Sequence, residues 1–226
     1  MTHAIVAPII DYMIKSSNQR DGDTEARILE AAREVFLRRG TAGARMAEIA
    51  EQAGVNQALL HYYFRSKARL AEAVFQRAAR DLFPAVIETL MSDMALPDKV
   101  RRVVDIELST LLRHPFLPGY ILSELNHHPE RVEQFVEVTA GLRIDDIAPR
   151  LFARLGRQID TAVEAGEIRV IPPEQFVINL VSLCIFPFAA RPMITAMTGV
   201  DDDGFRAMIE RRRRELPEFF LRGIRP

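Results

Sequence analysis

Residues 44–70, ARMAEIAEQAGVNQALLHYYFRSKARL, carry the spacing that two short helices crossing at a tight turn require. Met46, Ile49, Ala50 and Ala53 recur at helical intervals, so a first helix over Met46 to Ala53 has one buried face. Ala50 is small where two backbones must approach. Gly54 follows the last periodic residue, at the point where the chain turns through a conformation that a Cβ resists. Val55 buries the turn, and Asn56 is a good N-cap for a second helix beginning at Gln57. That helix turns Leu59, Leu60 and Tyr63 or Phe64 inward and keeps Gln57, Ala58, His61 and Tyr62 outward.

The outward set suits a major groove. Glutamine pairs with adenine through two hydrogen bonds, alanine touches a thymine methyl, and histidine and tyrosine reach base edges or phosphate. Lys67 and Arg69 flank a further helix start at Ser66, where cations can grip a nucleic-acid backbone. The same spacing also fits a plain helical hairpin within an all-α core, with His61 and Tyr62 only partly exposed.

Thr24 to Arg80 resembles the DNA-binding domain of TetR/AcrR-type transcriptional regulators along its whole length. Ile49 to Leu70 is the most specific portion, with Ile-Ala, Ala-Gly-Val, an aromatic pair, Phe-x-x-Lys and a following Leu. The resemblance implies that Gln57, Ala58 and His61 face bases, that Tyr62 and Lys67 hold phosphates, and that the protein binds DNA as a homodimer. One position departs from the pattern: Arg45 stands where the family commonly has Thr or Ser. Arginine cannot cap a helix N-terminus, but it can contact a phosphate.

The chain has 226 residues, of which 48% are hydrophobic, enough for a sizeable core and too many for global disorder. Its net charge of −1 hides a polarity. Residues 24–80 hold ten Lys/Arg against six Asp/Glu, net +4, whereas residues 81–226 are net −4. Positive charge therefore gathers where the helix-turn-helix lies, as expected of an end that faces phosphate. The lone Cys184 excludes an intramolecular disulfide framework and suits a reducing cytoplasm. No stretch reads as a membrane span; the nearest, Phe176 to Ala190, is too short. The first residues lack the basic start and cleavage site of a signal peptide. No phosphate loop, nucleophile elbow or zinc-protease helix occurs, so no catalytic residue, cofactor or metal is expected.

Residues 1–23 read as a flexible arm with a short helical stretch near Ile9 to Ile14, residues 24–80 as the DNA reader, and residues 81–226 as a helical domain for effector binding and dimerisation. Thr24 is placed to cap a helix striped by Ile28, Val35 and Phe36 and ending near Gly40. A long helix after Ser66 meets Pro84, which should kink it or mark the seam between domains. Further helices are expected at about 98–112, 116–126, 129–165 with a break near Pro149, 173–190 and 202–222. Pro187 and Pro192 are positioned to kink the 173–190 segment or its end. Strand signals are absent, so the fold class is all-α.

The segment from Phe176 to Phe188 is apolar nearly all round and must be buried on every side. Family architecture pairs the last two helices with their copies in a second subunit, so Ile178, Ile185, Phe205, Met208, Ile209, Leu216 and Phe219 are candidate dimer contacts. Candidate effector-pocket residues are Val104, Leu108, Leu111, Phe116, Tyr120, Phe135, Phe152, Phe176 and Leu183, although aromatics at this spacing serve equally as core. Adjacent His127 and His128 do not converge on a metal. Asp201 to Asp203 fits a helix N-terminus, and Arg211 to Arg214 reads as a solvated face and interface rim. The sequence thus points to a homodimeric repressor, bound to a palindromic DNA operator and released by a small apolar or amphipathic effector. A DNA-binding scaffold governed by a protein partner and a helical enzyme with an accessory reader are the alternatives.

Overall fold

The computed structural model describes residues 6–127 and 143–226, together with residues 133, 136, 137 and 141. Among them every regular element is an α-helix. In chain order these are α1 (Val6–Gly43), α2 (Met46–Ala53), α3 (Gln57–Phe64), α4 (Lys67–Met91), α5 (Leu96–Arg113), α6 (Leu117–His127), α7 (Ile144–Glu164), α8 (Pro173–Ala189), α9 (Arg191–Thr198) and α10 (Asp202–Gly223). The chain divides into two compact units at Val74/Phe75, within α4.

Residues 6–23, expected as an arm, are helical and continuous with the segment that follows. Thr24 therefore lies inside α1 and not at a helix start. The polar run Lys15 to Asp23 contains no proline, and helix formation asks only for residues able to adopt its dihedrals. Gly40, at φ +66°, breaks α1 before one final turn. The core of this first unit consists of Ile28, Ala31, Ala32, Val35 and Phe36 from α1, Ile49, Ala50 and Ala53 from α2, Leu60 and Phe64 from α3, and Leu70, Ala71 and Val74 from α4.

Pro84 sits inside an unbroken α4, where buried Leu82 and Val86 pack the turn around it. Pro149 likewise lies inside α7 without a break. The remainder of the segment expected as one helix over 129–165 falls mostly outside the described residues before Arg143. The bend anticipated around Pro187 and Pro192 lies between them at Ala190, where α8 and α9 meet at 67°. No single helix among the described residues is long and apolar enough to cross a membrane.

In the second unit α5 packs against both α8 and α10. It buries Val100, Val103, Val104, Ile106, Leu108 and Leu111. Helices α8 and α10 pair antiparallel: Phe176 meets Phe220 edge-on at 5.1 Å and Phe188 meets Phe205 at 5.7 Å. Between these contacts Arg212 donates from Nε and Nη2 to the Leu183 carbonyl, at 3.1 and 2.9 Å. Arg213 pairs with Asp105 on α5 at 2.6 Å. Two of the four arginines expected on a solvated face are thus bound within the unit; Arg211 and Arg214 are exposed. Asp201 caps α10 as its position suggested, accepting from the Gly204 N–H at 2.9 Å.

The dimer candidates separate here. Phe205, Ile209 and Leu216 are core residues of the single chain, each at most 2% exposed, because the α10 stripe they form faces α5 and α8. Met208 and Ile185 are half-buried, whereas Ile178 and Phe219 are exposed. The expectation that α8 is buried all round also fails within one chain, since Ile178, Ser182 and Phe186 form an exposed line at four-residue spacing.

The core contains an ionisable group that the sequence did not flag. Glu107 on α5 is 3% exposed, and its Oε2 has no hydrogen-bond partner. Burial pushes its carboxyl up to about 8, opposed only in part by a hydrogen bond from the Cys184 thiol. Burial and the neighbouring Glu107 in turn push that thiol far up, so it is an inert core group. The folded chain holds a proton on Glu107 that the unfolded chain releases above the ordinary carboxylate range, so the contribution to stability falls as pH rises from about 4.5 to about 8. Glu107→Gln, neutral throughout, should gain stability over the parent by on the order of 3 kcal/mol between pH 5 and pH 8. Urea denaturation across that range checks this, and a constant difference would contradict it.

Candidate nucleic-acid interface

The turn between α2 and α3 is built as the spacing predicts. Gly54 adopts φ +65°, ψ 36°, and its N–H reaches the Ala50 and Glu51 carbonyls at the end of α2. The Val55 N–H also donates to the Ala50 carbonyl, at 3.0 Å. Asn56 then caps α3, its Oδ1 accepting from the Leu59 N–H at 2.8 Å. An eight-residue helix cannot stand by itself in water, so its hold on the unit must come from packing. Leu60 and Phe64, one turn apart, supply that hold. Leu59, expected inside, is 36% exposed; only one side of so short a helix meets the core, and Leu60 and Phe64 define that side.

Gln57, Ala58, His61 and Tyr62 all face outward, with Tyr62 77% exposed. Tyr62 meets the half-buried Tyr63 edge-on at 5.5 Å, which limits where its ring can swing. The His61 ring nitrogen Nδ1 lies 3.2 Å from the Arg65 carbonyl, leaving Nε2 as the free end. Arg65 itself closes α3 at φ +53°, a conformation rare for a residue with a side chain. It was not singled out from the sequence, because nothing in residue type marks a strained helix end.

Arg45 flanks α2 in extended conformation, exposed, with no side-chain capping bond. Neither Arg45 nor Arg65 has a partner among the described residues, so two uncompensated cations sit at the ends of α2 and α3. Lys67 differs from them. Its ammonium donates to the carbonyls of Ala42 and Ala44, at 2.9 and 3.2 Å, and so joins the end of α1 to the start of α4. Ser66 caps α4 through its Oγ, which accepts from the Arg69 N–H at 3.2 Å. On the opposite side Gln52 bridges Glu34 and Arg38, fixing α2 against α1.

The effector-pocket candidates do not converge on a described cleft. Val104, Leu108, Leu111 and Phe176 are fully packed, while Phe116, Phe152 and Leu183 are half-buried. Phe116 packs edge-on against Phe75 at 5.3 Å. Phe135 and the Tyr120 side chain lie outside the described residues, as do the side chains of His127 and His128. The two clefts described in this unit have other linings, one between α7 and the loop before α5, the other among charged side chains of α5 and α10.

Residues 28–74, spanning this whole constellation, match the family of bacterial regulatory proteins, tetR family. The match covers 47 of the 226 residues, the segment that carries the helix-turn-helix. Among curated relatives, the HTH-type transcriptional repressor SCO4008 of Streptomyces coelicolor is 34% identical over 133 residues, 53% of this chain and 63% of that protein. The match thus spans less than two thirds of that relative's length. The HTH-type transcriptional regulator RutR of Escherichia coli K12 is 26% identical over 222 residues, covering 94% of this chain and 97% of RutR. The fold of the chain is similar to that of PfmR from Thermus thermophilus, with TM-score 0.59 at 18% identity over 87% of this chain and 97% of that one. The two curated relatives are named as a transcriptional repressor and a transcriptional regulator.

Two substitutions test how the reader is held. Gly54→Ala should cost about 1 kcal/mol of stability through backbone conformation alone, since nothing lies within 4 Å of the added Cβ. Lys67→Met keeps the side-chain stem but abandons the two carbonyls, and should cost about 2 kcal/mol. Denaturant titrations without DNA measure both; an unchanged midpoint for Lys67→Met would show that the carbonyl clip contributes nothing.

Proposed function

We propose that the chain is a homodimeric transcriptional repressor that reads a palindromic operator with α3 and is released by a small apolar or amphipathic effector. The observation that carries this reading is the division of α3. Leu60 and Phe64 are buried, while Gln57, Ala58, His61 and Tyr62 form an outward set flanked by the unpaired Arg45 and Arg65. In this reading Gln57, Ala58 and His61 meet base edges, and Arg45 and Tyr62 meet phosphates. Lys67 spends two of its three protons on carbonyls and has one left for a phosphate. Its larger part is to fix α1 and α4 on either side of the reader.

The homodimer is supported by α8 and α10. Ile178 and Phe186 on α8 and Phe219 on α10 are 53%, 57% and 66% exposed, on helices that already pack together. Large apolar residues in such a group are the usual mark of a protein interface. In this reading the dimer presents two α3 helices to successive major grooves, roughly 34–36 Å apart. An effector that binds better to dimers with a different spacing shifts the population away from DNA, and by linkage DNA must weaken effector binding equally.

Fluorescence anisotropy with duplexes tiled from DNA upstream of the gene, at two salt concentrations, tests the reading. Gln57→Ala should relax discrimination at particular base pairs by about 1–3 kcal/mol, whereas Arg45→Ala should weaken operator and random duplex alike. Equal effects of Gln57→Ala on both duplexes would remove it from the base-reading set. Ile178→Arg with Phe219→Arg should give a monomer in sedimentation that has lost tight operator binding; a monomeric parent protein would overturn the dimer.

A further inference from the structure

The second unit holds a cleft of about 490 Å³ that has no part in the DNA-reading proposal. One wall is the loop and first turn leading into α5, from Asp93 to Pro97; the other is α7, where Arg154, Arg157, Gln158 and Thr161 recur at helical spacing, and Glu167 lies at the margin. Met94, Leu96 and Pro97 give the cleft an apolar side.

The charges of its lining balance, Arg154 and Arg157 against Asp93 and Glu167, but they are unevenly engaged. Arg154 pairs through Nη2 with Asp93, whose own side chain is 93% exposed, and the buried Arg154 Nε has no acceptor among the described residues. Gln158 donates from Nε2 to the Met94 carbonyl at 3.4 Å, which fixes the amide orientation and leaves Oε1 without a donor. The exposed Arg157 has no side-chain partner among the described residues. Next to the cleft the ammonium of Lys99, wholly buried, donates to the Leu90 carbonyl at 2.5 Å, its one hydrogen-bond partner among the described residues. Burial and then the charge of Arg154 lower Lys99 to about 8, so the two cations feel each other. Lys99, Arg154 and Arg157 thus stand against Asp93 and Glu167, with one positive charge left over.

We propose that this cleft binds a small monocarboxylate with a short apolar body, its carboxylate held by Arg154 and Arg157. Arginine binds a carboxylate through paired N–H groups; the Arg154 Nε–H is buried, so the ligand meets the Nη groups of Arg154 as Asp93 gives way, together with the exposed Arg157. The exposed Asp93 is the internal anion that the ligand displaces from Arg154. A single negative charge neutralises the excess, whereas a phosphate dianion would face repulsion from Asp93 and Glu167. The apolar side accepts the ligand's hydrocarbon.

Calorimetric titration of the full chain with hexanoate tests the site, with hexanamide as the neutral counterpart. No DNA is present, so failure here leaves the regulator reading untouched. Saturable one-to-one binding of hexanoate is expected, at least about tenfold tighter than hexanamide. Arg157→Gln should weaken it about tenfold, and Asp93→Asn, which removes the competing anion, should tighten it. Arg157 is exposed and unpaired, so its variant remains informative even if Arg154→Gln fails to fold. Absence of saturable binding up to about 10 mM, equal binding of hexanamide, or hexanoate binding unchanged by Arg157→Gln would each overturn the assignment.

Discussion

An eight-residue helix that must show most of its surface to solvent depends on a very small anchor. Leu60 and Phe64 are that anchor for α3, and the rest of the first unit exists to receive them. The Gly54 turn sets the angle at which α3 leaves α2, the Asn56 cap satisfies the Leu59 N–H in its first turn, and Lys67 ties the end of α1 to the start of α4. None of these contributions is large. Together they hold the exposed side chains of α3 on a rigid base, which is what a surface that reads chemical detail requires.

The second unit is organised around α5, and its polar interior is unusual for an all-helical core. Glu107 is buried beside Cys184, Lys99 is buried against the last turn of α4, and Arg212 spans from α10 to the Leu183 carbonyl. Each replaces some hydrophobic stabilisation with a directional requirement. The Arg212 contact fixes the antiparallel register of α8 and α10, which the edge-on phenylalanine pairs at either end also enforce. A pair of helices held in register carries exposed apolar residues in fixed positions, a precondition for self-association through that surface.

The two arginine-bearing regions outside the reader show how differently one residue type serves. On α10, Arg213 finds Asp105 and Arg212 finds a carbonyl, so both act in packing. On α7, Arg154 is half engaged and Arg157 unengaged at the edge of a cleft. Composition treats these residues alike; only their surroundings separate a fastener from a cation open to a ligand.

Much of this was legible in the residues themselves. The short helix over Met46–Ala53, the left-handed Gly54, the Asn56 cap, the Ser66 start and the Asp201 cap are local matters, settled by dihedral preference and by side chains reaching backbone a few residues away. Periodicity likewise gave the outward set on α3. What the sequence left open depends on which neighbour arrives. The stripe Phe205, Ile209 and Leu216 has the same pattern whether it faces its own α5 or a second subunit, and packing within the chain decided for α5. Lys67 carries the same charge whether it meets a phosphate or two carbonyls, and the return of α1 beside α4 placed the carbonyls there. Glu107 looked like any helical glutamate until the core, with Cys184 of α8, closed over it. Local geometry was written in residue type and spacing, whereas burial, pairing and charge state depend on contacts between residues far apart in the chain, which only the tertiary structure could decide.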